Sequence, residues 1–558
     1  MTQIIQVDAL VVGAGVGGIF ATYRLADMQM NIQTIDMASD VGGTWYWNRY
    51  PGAMSDTETY LYRYSWDKDD LQTYPWTQHY IYQPEILKYL QHIVKKHDLR
   101  KHMKFNCEMK SATWENVSHR WHVTCSTGEI YYARYLVNSL GLLSKANYPD
   151  IQGLSNFHGS LLHTAKWDDT VQLEGKRVGI IGNGSTGVQV MTAIAPKVGH
   201  LASFQRHPQY SVPSGQGPIA ADYRKKVNED YDKIWNNVWS STVGFGVPES
   251  TLKTMEASPK ERKEAFEEVW SKGNGFRFMF SAFGDLTTDE AANEEACSFI
   301  RGKIDEIVKD PAKASVLKPK ELYARRPLCD SGYYEIFNRD NVDVIDIQAN
   351  PIKQITDTGI ELTDGKIHDM DVLVFATGFD AIEGSYSRVC IAGRDGKTLK
   401  DHWRDGLRAY GSVACSGFPN MFLIAGPQGP FANFPPVIES ETNLIMSLIE
   451  HAEALDSGRK TTPNGITNGK TNGTNGTSRT RPAIIEVSEE AEQDWADLCD
   501  SLVQGSDFLK SPSWIFSRNI PGRKPNTNFY FAGLRSYLEW VRKQTSAGFP
   551  AFARSWDA

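Results

Sequence analysis

Several absences bound this sequence before any motif is considered. None of its seven cysteines stands in a C-x-x-C pair, which removes a zinc ribbon and a dithiol redox centre and fits a reduced cytosolic protein. No metal centre is expected. No apolar run is long enough to span a bilayer, and no charged-then-apolar leader precedes the first strand. A cytoplasmic protein without a membrane partner is the expectation. Neither sign of charge dominates: 59 Lys and Arg against 67 Asp and Glu give a net charge of −8. That mild acidity argues against a nucleic-acid partner. The 558 residues are enough for two or three domains with a large core.

Two glycine turns are the main positive signal. The apolar run Val7 to Val12 feeds Gly13-x-Gly15-x-x-Gly18, and a helical pattern follows from Ile19 to Ala26. Strand, glycine turn and helix in that order are the context in which backbone amides approach a pyrophosphate. A second strand, Ile32 to Ile35, ends at Asp36. An acid there accepts from a ribose 2′-OH and repels a 2′-phosphate, so this site should take FAD or NAD. The arrangement recurs after Arg177 to Ile181, with Gly182, Gly184, Ser185, Thr186 and Gly187 in the turn. Its second strand, Leu201 to Phe204, ends with Gln205-Arg206-His207 and not with an acid. Arg206 can pair with a 2′-phosphate, so the second site should prefer NADPH. Opposite strand-end charges imply two different dinucleotides. The fold class expected is α/β, with two Rossmann-like dinucleotide-binding domains.

Between and beyond these sites the pattern changes. Residues 83–99 read as an amphipathic helix with Ile86, Leu87, Leu90, Ile93 and Val94 on one face. Residues 221–325 are charged and helical, with a capping box at Ser258-Pro259-Lys260-Glu261 and a second helix start at Thr287 to Glu290. They read as a helical insertion in the NADP domain. A buried strand from Asp371 ends in Ala376-Thr377-Gly378, where the chain should return to the FAD domain, whereas the earlier strand Tyr135 to Val137 ends in Asn138-Ser139-Leu140-Gly141. The expected division is FAD domain 1–145, NADP domain 146–220, insertion 221–325, NADP domain 326–381, and FAD domain 382–558. Residues 457–481 are rich in Asn, Gly and Thr and are expected to be a disordered insertion.

The connector Phe157-x-Gly159-x-x-x-His163-x-x-x-Trp167-Asp168 would ordinarily be read as a packing linker between nucleotide sites. Its spacing, however, resembles the fingerprint of the Baeyer–Villiger monooxygenases, flavoproteins that insert one oxygen atom of O2 beside a ketone carbonyl. A second stretch, Gly42-Gly43-Thr44-Trp45 through Tyr50-Pro51-Gly52 to Asp56, resembles another motif of that family. Glycines and aromatics this dense otherwise imply a loop. A third, Arg325-Arg326-Pro327, resembles the family's active-site arginine segment.

The resemblance covers nearly the whole chain, and its implications are specific. It makes Arg326 the active-site arginine and Asp56 the acid that reaches it. It places Thr44, Trp45, Tyr62 and Met109 with FAD, and Ser185, Thr186, Gln189, His207, Arg325 and Trp514 with NADP. Trp514 belongs to a mobile C-terminal loop at about 505–525. Leu143, Phe431 and Phe434 become pocket walls for a small-molecule ketone, with a cyclic one favoured and linear, aryl, macrocyclic or steroidal ones left open. The implied reaction is reduction of FAD by NADPH, capture of O2 as a flavin peroxide, and attack on the ketone to give an ester or lactone. Two other readings remain beside it: a flavin monooxygenase acting on sulfur or nitrogen, and a non-catalytic flavin-dependent sensor.

Overall fold

The computed structural model describes residues 3–456, 461–462, 465–466, 483–511 and 513–555. The 457–481 insertion lies outside the described residues, apart from the paired stretches Thr461–Thr462 and Gly465–Ile466.

Two sheets organise the chain. In the first, strand Ile4–Val12 runs parallel to Ile32–Ile35 on one side and to Ile130–Asn138 on the other. Ile130–Asn138 continues antiparallel to Arg120–Cys125, and that strand to Met109–Glu115. Strand Met421–Leu423, far along the chain, pairs with the end of Ile130–Asn138. Helix Val16–Asp27 crosses between the first two strands and buries Ile19, Phe20, Ala21 and Leu25. The second sheet is wholly parallel, in the order Val342–Asp346, His200–Gln205, Arg177–Ile181, Val372–Phe375, Ser160–His163. Helix Ser185–Ile194 makes the corresponding crossover. Each crossover joins parallel neighbours, the connection that a strand–turn–helix pattern demands.

The strand ending in Ala376-Thr377-Gly378 therefore completes the second sheet, and the chain leaves that sheet only afterwards. Phe379–Asp380 pairs antiparallel with Lys145–Ala146, so the outgoing and returning crossings form one two-stranded ribbon. Ser139 follows strand Ile130–Asn138 and is half-buried beside the first glycine turn. Its backbone nitrogen donates to the Val12 carbonyl, and its carbonyl would lie 2.2 Å from a Cβ at Gly13.

Residues 221–325 form helices Ala221–Ser240, Pro259–Lys272, Gly275–Ser281, Glu290–Ile307 and Pro311–Leu317. Ser258 and Glu261 make the reciprocal capping box, and Asp289 caps the helix that follows. Helix Gln83–Lys96 buries Ile86, Leu90, Ile93 and Val94, while Leu87 is only half-buried beside Gly42. The aromatic loop after residue 41 is not wholly irregular: Thr44–Trp47 makes one helical turn. Among the described residues no helix is long and apolar enough to cross a membrane.

Candidate active site

Both glycine turns are closed in the way a dinucleotide needs. A Cβ at Gly18 would lie 1.7 Å from the Gly13 carbonyl oxygen, and one at Gly187 would lie 2.3 Å from that of Gly182. Gly184, in contrast, faces open space. Neither helix that follows has a side-chain cap on its first amides. Those unpaired N–H groups are what a pyrophosphate satisfies, so the residues fit the two dinucleotides. Beneath the first turn the Asp36 carboxylate accepts from the amides of Ala14 (2.6 Å) and Ala38 (2.7 Å). Burial raises its proton affinity, against the pull of those two bonds. Gly43 presses on the same turn, since its Cβ would come within 2.7 Å of Gly15 Cα. Thr44 is exposed, and Trp45 is buried with its indole donating to the Tyr62 hydroxyl at 2.8 Å. Burial pushes that phenol up to about 12. Met109 is buried at the start of its strand, two residues after Cys107, whose amide bonds the Asp36 carbonyl.

At the second turn the strand-end cations converge. His207 Nδ1 lies 3.0 Å from Glu321, and Arg325 pairs with the same carboxylate. Burial lowers the His207 pKa, and the nearby charges of Arg325 and Arg206 lower it further, while Glu321 opposes them. Arg206 itself is exposed. Thr186 Oγ1 lies 3.2 Å from Thr164 Oγ1. Gln189 is placed differently from the other turn residues. Its amide accepts from the Tyr50 hydroxyl (2.7 Å) and donates to the Met54 carbonyl (3.1 Å), so its side chain docks the Tyr50–Met54 loop onto the second unit.

The fingerprint forms the corner between the units. A Cβ at Gly159 would strike the Phe157 ring at 2.5 Å, so the glycine lets that buried ring lie flat against the chain. His163 is buried, and its Nδ1 accepts from the Ala165 amide at 3.0 Å. Its Nε2 faces the Asn147 carbonyl (3.4 Å) and the Thr377 hydroxyl (3.5 Å), one from each crossing of the chain. Trp167 packs half-buried against the core, and exposed Asp168 caps the Thr170 amide at 2.9 Å.

Asp56 and Arg326 come together from opposite ends of the sequence. Arg326 Nη1 donates to Asp56 Oδ2 at 2.5 Å. Asp56 is 7% exposed, so its charge is compensated within the protein. Burial lowers the affinity of the guanidinium for its proton, but Asp56, with Cys329 and Tyr50, raises it overall. The guanidinium also lies 5.3 Å from the Phe276 ring centre, and Phe276 stacks on Phe245 at 3.8 Å. Neither aromatic was marked by the sequence, where both lie in the charged, helical stretch 221–325. Phe431 stacks with Phe531 at 5.1 Å, Phe434 opens helix Phe434–Asp456, and Leu143 is half-buried. Trp514 meets Phe529 edge-on at 5.7 Å, and its loop is fastened by Asn519 Nδ2 to the Phe379 carbonyl at 3.0 Å.

His402, Cys415 and Glu492 form a buried group of metal-type ligands among the described residues. Arg408 lies 3.5 Å from the Glu492 carboxylate, so a cation already balances it.

Two dinucleotide-type glycine turns, with a half-buried arginine paired to a buried carboxylate, define a pyridine-nucleotide-dependent flavoprotein. Residues 7–203 match the model of the flavin-binding monooxygenase-like family. The chain is 46% identical to cyclohexanone 1,2-monooxygenase of Acinetobacter sp. over 96% of its length and 94% of that protein. It is 42% identical to phenazine N-monooxygenase PhzNO1 of Lysobacter antibioticus, over 98% of this chain and 96% of that one. The crystal structure of cyclohexanone monooxygenase from Rhodococcus sp. Phi1 bound to NADP+ superposes with a TM-score of 0.93 at 46% identity, each chain covered fully. The chain belongs to the Baeyer–Villiger monooxygenases. It is an oxidoreductase that uses FAD and NADPH.

Proposed function

We propose that this enzyme oxygenates a cyclic ketone to a lactone, with Arg326 and Asp56 as its catalytic pair. The observation that carries the proposal is their 2.5 Å contact beside the Phe276 ring. FAD reduced by NADPH supplies the activated oxygen when bound. The chain's own part is to stabilise negative charge on oxygen as the carbonyl is attacked. A guanidinium whose proton affinity is raised does so without giving up a proton to the oxyanion it faces. Asp56 orients it, and Phe245 and Phe276 keep one side of the site dry.

The division of labour follows the same reading. Gly13, Gly15, Gly18, Asp36, Thr44, Trp45, Tyr62 and Met109 serve FAD in domain 1–145 with 382–558. Gly182, Gly184, Ser185, Thr186, Gly187, Arg206, His207, Arg325 and Trp514 serve NADPH in domain 146–220 with 326–381, and 221–325 is inserted between. The phenazine-oxidising relative supports a second reading, oxygenation of a ring nitrogen.

The deciding experiment supplies the purified, FAD-loaded enzyme with NADPH, O2 and either cyclohexanone or phenazine, and identifies the products. Lactone from the ketone upholds the proposal. An N-oxide without any lactone would transfer the reading to nitrogen.

A further inference from the structure

One buried amide ties the helical insertion to the catalytic pair. Asn274 Oδ1 accepts from the amides of Phe276 (2.9 Å) and Arg277 (3.3 Å), which caps helix Gly275–Ser281. The other end of the same amide, Nδ2, donates to the Asp56 carbonyl oxygen (2.9 Å) and to the Tyr80 hydroxyl (3.0 Å). Its backbone nitrogen donates to the Pro213 carbonyl at 2.7 Å. Asn274 is 3% exposed and has φ +77°, in the left-handed region that asparagine tolerates better than most residues. The residues on either side of this junction are those of the site. Phe276 lies under the Arg326 guanidinium, and Arg277 pairs with Glu58 at 2.8 Å, two residues beyond Asp56.

We propose that Asn274 is a positioning residue for oxygen insertion, holding the Asp56 main chain to the helix that carries Phe276. Rotating the amide would lose bonds at both ends, so its orientation is fixed. The Asp56–Arg326 pair and the aromatic wall are thereby held in one register. The inference rests on the ketone-oxygenating reading above. A displacement of about 1 Å at such a site can cost on the order of 100-fold in rate, whereas hydride delivery should depend on the Met54–Gln189 contact, which Asn274 does not touch.

The roles separate in two variants. Asn274→Asp keeps a capping oxygen and tolerates the backbone angle, but removes the donor to Asp56. Asn274→Gly removes both cap and donor. In the full-length FAD-loaded enzyme, flavin reduction by NADPH should stay within about twofold of wild type in both. Lactone formed per NADPH should fall about tenfold or more in both. In Asn274→Asp it should recover as the pH is lowered, because the introduced carboxyl, once protonated, can donate again. Asn274→Gly should show no such recovery. Hydrogen exchange supplies a readout apart from turnover. Residues 55–58 should exchange faster in both variants, but residues 275–281 only in Asn274→Gly.

Wild-type coupling in both variants would overturn the role of Asn274 while leaving the reaction intact. So would a loss that is equal at every pH and shared by flavin reduction. If wild type oxidised NADPH and made no lactone, the reaction itself would be misassigned and the inference would fall with it.

Discussion

Tyr50 donates a 2.7 Å hydrogen bond to Gln189 across 139 residues of sequence, joining the aromatic loop of the first nucleotide unit to the crossover helix of the second. Met54 bonds the same amide, and a Cβ at Gly52 would lie 2.5 Å from the Gln189 carbonyl oxygen. The junction fixes the loop against the second unit, so it should bear on how NADPH meets the flavin. In Gln189→Ala, FAD should remain bound while flavin reduction at saturating NADPH slows roughly tenfold. The buried Tyr50 hydroxyl would lose its acceptor, at a cost of about 1–3 kcal/mol. Stopped-flow absorbance and a denaturant titration measure the two effects, and an unchanged reduction rate would contradict the first.

Arg326→Ala should leave FAD binding and NADPH-driven flavin reduction in place. Product formation should drop on the order of 100- to 1,000-fold, the usual loss when one preorganised charge donor is removed. Single-turnover reduction and product analysis on the same preparation check it. Normal lactone yield would remove Arg326 from the mechanism.

Arg206 is exposed beside His207 and Arg325, whose charges are shared with Glu321. Its exposed guanidinium is open to a phosphate. Arg206→Ala should raise the KM for NADPH roughly tenfold with little change in kcat, since a hydrogen bond to a charged group is worth about 1.5–3 kcal/mol. The KM for NADH should hardly move. Initial-rate kinetics with both coenzymes test this, and equal effects on the two would refute a 2′-phosphate role.

His163 is kept neutral because burial lowers its pKa. The unfolded chain then binds more protons than the folded one as the pH drops below the ordinary histidine value of about 6.5. Its stabilising contribution is thus complete above that pH and is lost as the pH falls through the lowered folded value. His163→Gln should be less stable at neutral pH yet show a flatter decline of Tm on acidification. A parallel decline in both proteins would show that other groups govern the acid limb.

Much of the fold was legible because local signals agreed with long-range pairing. The strand–turn–helix units, the Ser258 capping box and the strand-end Asp36 and Arg206 all follow from residues close in sequence. The strand before Ala376-Thr377-Gly378 needed its place in the chain as well as its own pattern. A buried strand announces itself by its apolar run, but nothing local says which sheet accepts it, and Val372–Phe375 lies between two strands of the second. The Asp56–Arg326 contact was legible only through resemblance, because the two residues lie 270 apart in sequence. Phe276 and Asn274 carried no signal, since their importance lies in what the fold brings to them.

Strand Met421–Leu423 completes the first sheet by pairing with Ile130–Asn138, whereas every strand of the second sheet lies between residues 160 and 375. During synthesis the later-numbered unit has all its strands before the earlier one can close. The first nucleotide fold can therefore close only after the one inserted within it has all its strands. A truncation after residue 381 should leave a soluble second unit attached to an unclosed first sheet with an open strand edge, a species prone to self-association.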